Sequence, residues 1–565
     1  MNLDLSGKPF YLDADGSRWV GDTLAGMTRE DKIGQIFCLV AYSDDDATLL
    51  RFSREIKAGG LMCRPMAANA ELISTVKKLQ ENSEIPMLIA ANLETGGDGI
   101  SQNGTRIGTQ MQIAATNDPK YAGVLGEVAG REAAALGGNW AFAPVIDIDY
   151  NFRNPITATR TYGSDPELVR ACGVEYVKAV QAQGVAASIK HFPGDGCDER
   201  DQHLVTSINS LSAEEWDRTY GAVYQACIDA GALTVMPGHI MQPAYSKLLS
   251  PGLTDEEILP ATLSRELLTG LLRGKLGFQG MIVTDASSMN GYLIPMHRRR
   301  ALALSIAAGC DMILFAKNLE EDFGYMREGI RDGTITQERL DEAVTRILAT
   351  KAALGLHKKK NIPDAEACDR VVGCAEHRRL AEEVADKCIT LEKSKEDVFP
   401  LDPEKYRRIL FFPIDPNGES FFGTKQSNER FLQKFRERGF HVDRFEPQEG
   451  FEGMMRGYEE IVGGYDLLIY SAALATKSNQ TTVRIEWASP MGANVPMYLN
   501  VVPTIFISLE NPYHLLDVPR VKTYINTFGS SETVLDALLD KLTGKSPFQG
   551  KSPVDAFLGR WDTRL

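Results

Sequence analysis

Apolar and amphipathic segments alternate regularly through the first 320 residues of the chain. Eight short apolar runs occur there, at 34–40, 59–63, 86–91, 140–145, 185–189, 232–236, 280–284 and 311–315. Parallel strands covered on both faces read as continuous apolar segments, so each run predicts a buried strand. The stretches between the runs have helical periodicity. Eight strand–helix alternations predict a (β/α)8 barrel.

Two helix starts within this region have a recognisable polar signature. Ser212 precedes Glu215 by three residues, and Thr28 precedes Asp31 by the same spacing. A hydroxyl at the N-cap and an acid three residues later can satisfy each other's backbone N–H groups. The spacing therefore predicts that helices begin directly after Ser212 and Thr28.

The remainder of the chain predicts a second domain of class α/β. A helix is expected over 377–387, and buried-strand runs follow at 409–412, 466–470 and 504–508. Amphipathic stretches separate these runs, which favours a mainly parallel sheet. The predicted organisation is a catalytic barrel over 1–356, a linker over 357–376 and a C-terminal α/β domain over 377–565.

Composition excludes several classes of partner. The net charge is −15, and a local basic cluster such as 358–360 is only three residues long, so a nucleic-acid partner is not expected. Nine scattered cysteines without a Cys-x-x-Cys pair favour reduced thiols over disulfides or a zinc site. The segment 1–17 lacks the pattern of a signal peptide, and no apolar stretch is long enough for a membrane span. We therefore expect a cytoplasmic protein that needs no cofactor.

Polar side chains cluster where the predicted barrel strands end. They are Asn92 and Glu94 after the third run, Asp147, Asp149 and Arg160 after the fourth, Lys190 and His191 after the fifth, His239 after the sixth, and Asp285 after the seventh. Active sites of (β/α)8 barrels lie on the loops at the carboxyl ends of the strands. The pattern predicts that these residues share one rim and bind a ligand there.

The loop 190–203 and the strand end at Asp285 carry the strongest catalytic signals. Asp201 precedes His203 by two residues, so the carboxylate can fix one imidazole nitrogen and direct the other as a general acid or base. Asp285 ends a fully apolar strand on the same rim, which makes it a candidate nucleophile. A carboxylate nucleophile with a separate proton donor is the arrangement of retaining glycoside hydrolysis.

The same loop leaves a metal-dependent hydrolase open. Its carboxylates and imidazoles are the oxygen and nitrogen ligands that divalent metals accept. The candidate ligands are His191, Asp195, Asp198, Asp201 and His203.

Several segments together resemble glycoside hydrolase family 3, and within it the β-N-acetylglucosaminidase branch. The branch has the pattern Lys-His-Phe-Pro-Gly-His-Gly, four variable residues, then Asp-Ser-His, which 190–203 resembles closely. Other matching segments are 23–37, Phe142-Ala-Pro-Val-Ile-Asp147, Arg160-Thr-Tyr-Gly-Ser-Asp-Pro166 and Met236-Pro-Gly-His-Ile240. The resemblance implies removal of a terminal β-linked N-acetylglucosamine from small oligosaccharides or cell-wall fragments.

The resemblance also implies a role for each candidate residue. Asp285 would be the nucleophile, His203 the acid/base and Asp201 its orienting partner. The implied substrate-binding residues are Asn92, Glu94, Arg160, Lys190, His191 and His239, with no metal site.

The chain departs from the family pattern at three positions, which keeps alternatives open. Asp195 replaces a histidine, Asn92 replaces an aspartate, and Ala286 follows Asp285 in place of a second acid. One alternative is another family 3 glycosidase, such as a β-glucosidase or arabinosidase, with Glu486 of the C-terminal domain as acid/base. Others are a phosphorylase, since a neutral imidazole donor tolerates an incoming phosphate, and a sugar-binding protein without activity.

Overall fold

The structure is a computed structural model and describes residues 3–42, 45–63, 68–416, 426–446, 457–476, 478–479, 484–488 and 492–565. The chain forms two compact units. The first contains Met1–Ile107, Pro119–Thr157 and Asp165–Arg378, and the second contains Gly108–Asp118, Ala158–Ser164 and Arg379–Leu565. Two short segments that come early in the chain therefore belong to the second unit. The segment 357–376, predicted as a linker, contains a helix and lies within the first unit.

The first unit is a closed barrel of eight parallel strands. They are β1 (Phe37–Ala41), β2 (Gly60–Cys63), β3 (Leu88–Ala91), β4 (Trp140–Ala141), β5 (Ala186–Phe192), β7 (Thr234–Pro237), β9 (Met281–Ala286) and β10 (Met312–Leu314). The strands follow one another around the barrel in this order, and β10 pairs with β1 to close it. Each predicted run overlaps one observed strand, so the predicted barrel is confirmed.

Strand β5 matches its apolar run at the start but continues beyond it into buried polar residues. All seven of its residues are buried, as expected of a parallel strand covered on both faces. The last three, Lys190, His191 and Phe192, extend the strand beyond the apolar run. Burial of a lysine and a histidine inside a barrel requires polar partners, and these partners define the site described below.

A second small sheet lies on the rim of the barrel. It pairs β6 (Ser207–Ile208) with β8 (Ile240–Met241) in parallel. Strand β6 belongs to the loop after β5, and β8 follows β7 directly. The sheet therefore ties the loop that carries His203 to the loop that carries His239.

The helices cover the outside of the strands and connect them. The α-helices are Ala14–Gly26, Arg29–Gln35, Asp46–Leu50, Asn69–Asn82, Gln110–Ala115, Lys120–Ala135, Pro166–Ala182, Ala213–Trp216, Ala222–Asp229, Pro243–Leu249, Asn290–Leu293, Arg298–Ala308, Leu319–Arg331, Gln337–Ala353, Ala365–Val371, Ala375–Cys388, Ser427–Glu437, Tyr458–Val462 and Glu532–Leu542. Segments Arg51–Glu55, Asp217–Gly221 and Glu266–Lys275 are π-helical, and short 3₁₀ turns occur at Gly97–Gly99, Ala158–Arg160, Asp255–Glu257, Ala261–Leu263, His514–Leu516 and Asp562–Arg564.

Both predicted capping boxes are present, at Thr28 with Asp31 and at Ser212 with Glu215. Within the described residues, no helix combines the length and apolarity needed to cross a membrane.

The second unit contains a six-stranded sheet. Its strands are β11 (Thr390–Ser394), β12 (Ile409–Ile414), β13 (Val442–Arg444), β14 (Leu467–Ala472), β15 (Thr504–Ser508) and β16 (Thr523–Asn526), in the order β11-β16-β15-β14-β12-β13. All neighbours are parallel except β11 and β16, which run antiparallel. The predicted mainly parallel α/β domain is confirmed.

Candidate active site

Two glycines give the loop after β5 its path. Gly194 and Gly196 have φ values of 113° and 109°, which side chains rarely adopt. A Cβ atom on Gly194 would lie 2.0 Å from Cδ1 of Tyr220, and one on Gly196 would lie 1.8 Å from the carbonyl oxygen of Ile148. Only glycine therefore fits at either position.

Side-chain hydrogen bonds hold this loop against the barrel. The indole N–H of Trp216 donates to the carbonyl oxygen of Pro193 at 2.7 Å, and Nδ2 of Asn209 donates to that of Gly194 at 3.1 Å. Farther along, the backbone N–H of Asn290 donates to the carbonyl oxygen of His203 at 3.0 Å. Because Asn290 lies five residues after Asp285, this last bond brings the two predicted catalytic loops together.

Asp201 and His203 form the pair that their spacing predicts. Oδ1 of Asp201 accepts both the backbone N–H of His203 at 2.8 Å and its ring Nδ1–H at 2.7 Å. The Asp201 side chain is fully buried, whereas that of His203 is 28% exposed. The carboxylate thus fixes the tautomer, and Nε2 of His203 is the nitrogen that can exchange a proton with a ligand.

Asp285 lies near the end of β9, where His191, His203 and His239 are close enough to influence its charge. Its Oδ1 accepts the backbone N–H of Ala286 at 2.7 Å, and its Oδ2 lies 3.9 Å from Nε2 of His191. Burial raises the pKa of Asp285, but His191, His239 and His203 outweigh that effect, so the pKa lies below its usual value. The carboxylate is therefore ionised at neutral pH, as a nucleophile requires.

Two polar pairs lie at the end of β5, and one of them contains His191, which faces Asp285. Asp147 accepts the backbone N–H of His191 at 3.0 Å on Oδ1 and the ring Nδ1–H at 2.7 Å on Oδ2. Lys190 contacts Glu94 at 2.7 Å between Nζ and Oε1. Each of these two polar side chains of β5 thus has a carboxylate partner that follows β3 or β4, which offsets the cost of burial.

His239 supports the strand that carries Asp285. Its Nε2 lies 3.1 Å from the carbonyl oxygen of Ala286, so this nitrogen must donate, and Nδ1 lies 2.9 Å from Oγ1 of Thr262. Burial lowers the pKa of His239 to about 4. The imidazole is therefore neutral at pH 7, and both of its nitrogens bind protein groups. The resemblance implied that His239 binds substrate, and the sequence did not show that its ring also contacts the backbone at the end of β9.

Asp195, which the sequence suggested only as a possible metal ligand, and Gln202, which it did not suggest at all, are buried polar residues of this region. Nδ2 of Asn154 donates to Oδ1 of Asp195 at 2.8 Å, and Nε2 of Gln202 lies 3.3 Å from Oδ2. Burial and the Asp147 carboxylate raise the pKa of Asp195 to about 8. The sequence drew attention to Asp195 as a possible metal ligand and as a replacement of the family histidine, and it gave no signal for Gln202.

The remaining predicted residues lie in different surroundings. Asn92 is exposed, and Asp149 is buried with Oγ1 of Thr157 donating to it at 2.6 Å. Arg160 ends a 3₁₀ turn that belongs to the second unit, in which the backbone of Ser164 bonds to Pro553. The sequence had assigned Arg160 to the rim of the barrel.

A cavity of about 580 Å³ lies on another side of the loop after β5. Its lining residues are Tyr150, Asn151, Cys197, Ser210, Leu211, Glu215, Arg218 and Thr219. None of the predicted site residues lines it. Among the described residues, no three His, Cys, Asp or Glu side chains are grouped as a metal ion would require.

Comparison with known proteins agrees with this geometry. Residues 28–350 match the glycosyl hydrolase family 3 N terminal domain. A beta-N-acetylglucosaminidase/beta-glucosidase from Cellulomonas fimi is 53% identical over the whole of both chains. A beta-glucoside phosphorylase structure superposes with a TM-score of 0.93 at 42% identity and covers 99% of each chain. A family 3 beta-N-acetylglucosaminidase from Paenibacillus sp. str. FPU-7 gives 0.78 at 26% identity, covering 94% of this chain and 99% of that one. The chain belongs to glycosyl hydrolase family 3.

Proposed function

We propose that this family 3 enzyme removes terminal β-linked N-acetylglucosamine with retention of configuration. The observation that carries the proposal is the Asp201–His203 pair, which hydrogen bonds at 2.7 Å and sits beside the loop of the ionised Asp285. A nucleophile and an oriented acid/base are the two groups that a double displacement needs.

In the first step, Asp285 attacks the anomeric carbon while Nε2 of imidazolium His203 gives its proton to the departing oxygen. The bond from the sugar to the leaving group breaks, and a glycosyl ester to Asp285 forms. In the second step, His203 takes a proton from water as the water oxygen attacks the same carbon. The ester breaks, Asp285 regains its charge and the β-anomer is released.

The buried pairs behind Asp285 support a role in sugar binding. His191 presents Nε2 toward Asp285 and is held by Asp147 from behind, so its orientation is set before a sugar arrives. Lys190 and Glu94 form a matched donor and acceptor for hydroxyl groups. Asn92 and Arg160 complete the proposed binding set.

The proposal also specifies which sugar the enzyme accepts. The Cellulomonas fimi relative is named for both an acetamido sugar and a glucoside. An amide at position 92 donates and accepts hydrogen bonds, whereas the aspartate that it replaces only accepts. We expect this exchange to relax discrimination at the hydroxyl that position 92 contacts.

Phosphorolysis is the second candidate function. The beta-glucoside phosphorylase structure, with its TM-score of 0.93, favours it. A histidine acid/base adds no negative charge beside an incoming phosphate, whereas a carboxylate would repel it. In this variant, phosphate oxygen replaces water in the second step and the product is a sugar 1-phosphate.

The test compares release of p-nitrophenol from the β-N-acetylglucosaminide and the β-glucoside, with and without phosphate. Activity on the acetamido sugar should vanish in Asp285→Ala, fall strongly in His203→Ala and persist in Glu486→Ala, since Glu486 is an exposed residue of the second unit. Activity on the glucoside alone that depends on Glu486 would overturn the proposal. Formation of the sugar 1-phosphate in place of free sugar would establish the second candidate.

A further inference from the structure

Gln202 lies between the two members of the predicted catalytic pair, yet its side chain is fully buried. Its Oε1 accepts the backbone N–H of His239 at 2.7 Å. Because that backbone group can only donate, the amide orientation is fixed and Nε2 faces Oδ2 of Asp195, 3.3 Å away. Gln202 thus connects the loop after β7 with the first turn of its own loop.

Asp195 is a firm anchor for this connection. Its Oδ1 accepts the backbone N–H of Gly196 at 2.7 Å and Nδ2 of Asn154 at 2.8 Å. Its own backbone N–H donates to Asp147 at 2.8 Å, and its carbonyl oxygen accepts the hydroxyl of Tyr220 at 2.7 Å. The side chain and backbone of Asp195 are therefore fixed from both sides, and only Oδ2 faces Gln202.

We propose that Gln202, anchored on Asp195 and on the backbone of His239, is a positioning residue that sets where His203 delivers its proton. The proposal rests on the proposed acid/base role of His203. Gln202 is joined to both Asp201 and His203 by peptide bonds, so its anchored side chain fixes the backbone of the pair. Its complete burial excludes direct contact with the sugar.

The distance from Nε2 of His203 to the leaving oxygen determines how fast the proton is transferred. Proton transfer requires a donor within about 2.6 to 3.2 Å of the leaving oxygen, and a displacement of about 1 Å can cost on the order of 10²-fold in rate. Loops move more than strands, and His203 lies on a loop. Without the Gln202 anchor, the carboxylate would still orient the imidazole, but the pair as a unit would shift relative to Asp285.

The experiment measures kcat/KM for a series of aryl β-N-acetylglucosaminides whose leaving groups span a range of pKa. Protonation by His203 matters most for poor leaving groups and little for a dinitrophenolate. We expect Gln202→Leu to lose about 10- to 10²-fold on the poorest leaving groups and only a few-fold on the best. The Brønsted plot should therefore become steeper while KM changes little.

Gln181→Leu is the matched control. Gln181 also bridges the β5 and β7 regions, with Oε1 accepting the backbone N–H groups of Ala187 and Leu233 and Nε2 donating to Gly231. It precedes both strands and lies outside the site. A purely structural role for Gln202 would lower kcat/KM equally for every leaving group, as expected for Gln181→Leu, and that result would overturn the proposal.

Asp195→Asn tests the same link from its other end. Two N–H donors hold the oxygen on the side of Gly196 and Asn154, so the new NH₂ would face the NH₂ of Gln202. We expect the same steepening as in Gln202→Leu, and in the double variant little further loss, because both changes break one connection. An unchanged slope in Asp195→Asn would overturn the proposal even if Gln202→Leu failed to fold.

The Brønsted plot of His203→Ala shows whether a failure concerns the positioning role of Gln202 or the acid/base role of His203. A steep plot in His203→Ala together with a shallow one in Gln202→Leu would refute only the positioning role. A shallow plot in His203→Ala would refute the acid/base assignment itself.

Discussion

Two aspartate–histidine pairs lie at this site, with nearly the same hydrogen bonds and different surroundings. Asp147 holds His191, and Asp201 holds His203, each through the ring Nδ1 at 2.7 Å and through the backbone N–H of the histidine. The His191 side chain is 5% exposed at the end of a strand, whereas that of His203 is 28% exposed on a loop.

The comparison shows that a carboxylate–imidazole pair does not by itself identify an acid/base. His191 presents its outer nitrogen to Asp285 from a fixed position, which suits binding and electrostatic support. His203 presents its outer nitrogen from the loop, where a leaving group can reach it and water can enter after it departs. Under the proposed mechanism, exposure and location distinguish the two roles, and both are properties of the fold rather than of the pair.

The largest expected effect concerns Asp285, the nucleophile of the proposed mechanism. Asp285→Ala should lower kcat on the aryl acetamido sugar by at least about 10⁴-fold, because the covalent step loses its nucleophile. Added azide should restore turnover by attacking the free face and give the α-glycosyl azide. Azide added to His203→Ala should instead give the β-azide, since it would intercept the glycosyl enzyme. The same anomer from both variants would contradict the proposed division of roles.

The next effect separates the two histidines directly. His203→Gln should cost about 10² to 10⁴-fold in kcat/KM on poor leaving groups and much less on a dinitrophenyl glycoside. His191→Gln should reduce kcat/KM by a similar factor for every leaving group, because a binding residue acts before the bond breaks. Steady-state kinetics over the leaving-group series measures both patterns. If His191→Gln steepened the Brønsted plot and His203→Gln did not, the roles would be reversed.

The sequence predicted the barrel that carries this site and the Asp201–His203 pair on its loop. The apolar runs located all eight barrel strands because their residues are buried on both faces, and the two-residue spacing predicted the Asp201–His203 bond. It also predicted that Lys190, His191 and Asp285 would lie at strand ends on one rim of the barrel. These features depend on local pattern and on the geometry of a closed barrel.

Features that depend on contacts between distant segments were not predictable. Strands β11, β13 and β16 were not predicted, since β11 contains a lysine and a glutamate and β13 is three residues long. The pairing of Asp147 with His191 joins two strand ends 44 positions apart. Gln202 gave no signal, because nothing in the sequence shows which buried groups an isolated glutamine reaches.

The third prediction concerns stability and uses the difference in burial. Asp147→Ala would leave three N–H groups of His191 and Asp195 without an acceptor in a buried site, so we expect a loss of about 3 to 5 kcal/mol in the free energy of unfolding. Asp201→Ala should cost less, because water can reach the partly exposed His203. Urea unfolding of both variants measures the difference. Equal losses would show that burial does not distinguish the two pairs.

The last expected effect is a pH dependence at Asp195, whose backbone bonds to Asp147 and whose side chain reaches Gln202, so that it joins both pairs. Burial and the Asp147 carboxylate raise its pKa from an ordinary 3.8 to about 8. Between pH 4 and 8 the folded chain binds more protons than the unfolded chain. The contribution of Asp195 to the free energy of unfolding is therefore complete below pH 4 and is lost as the pH rises toward 8. The loss is at most about 1.4 kcal/mol per pH unit. Asp195→Asn cannot titrate, so the difference in unfolding free energy between wild type and this variant should decrease steadily across pH 4 to 8 in urea titrations. A constant difference would mean that Asp195 is ionised throughout, and Asp147 and Asp195 would then form an adjacent pair of charged carboxylates that depends on N–H donors alone.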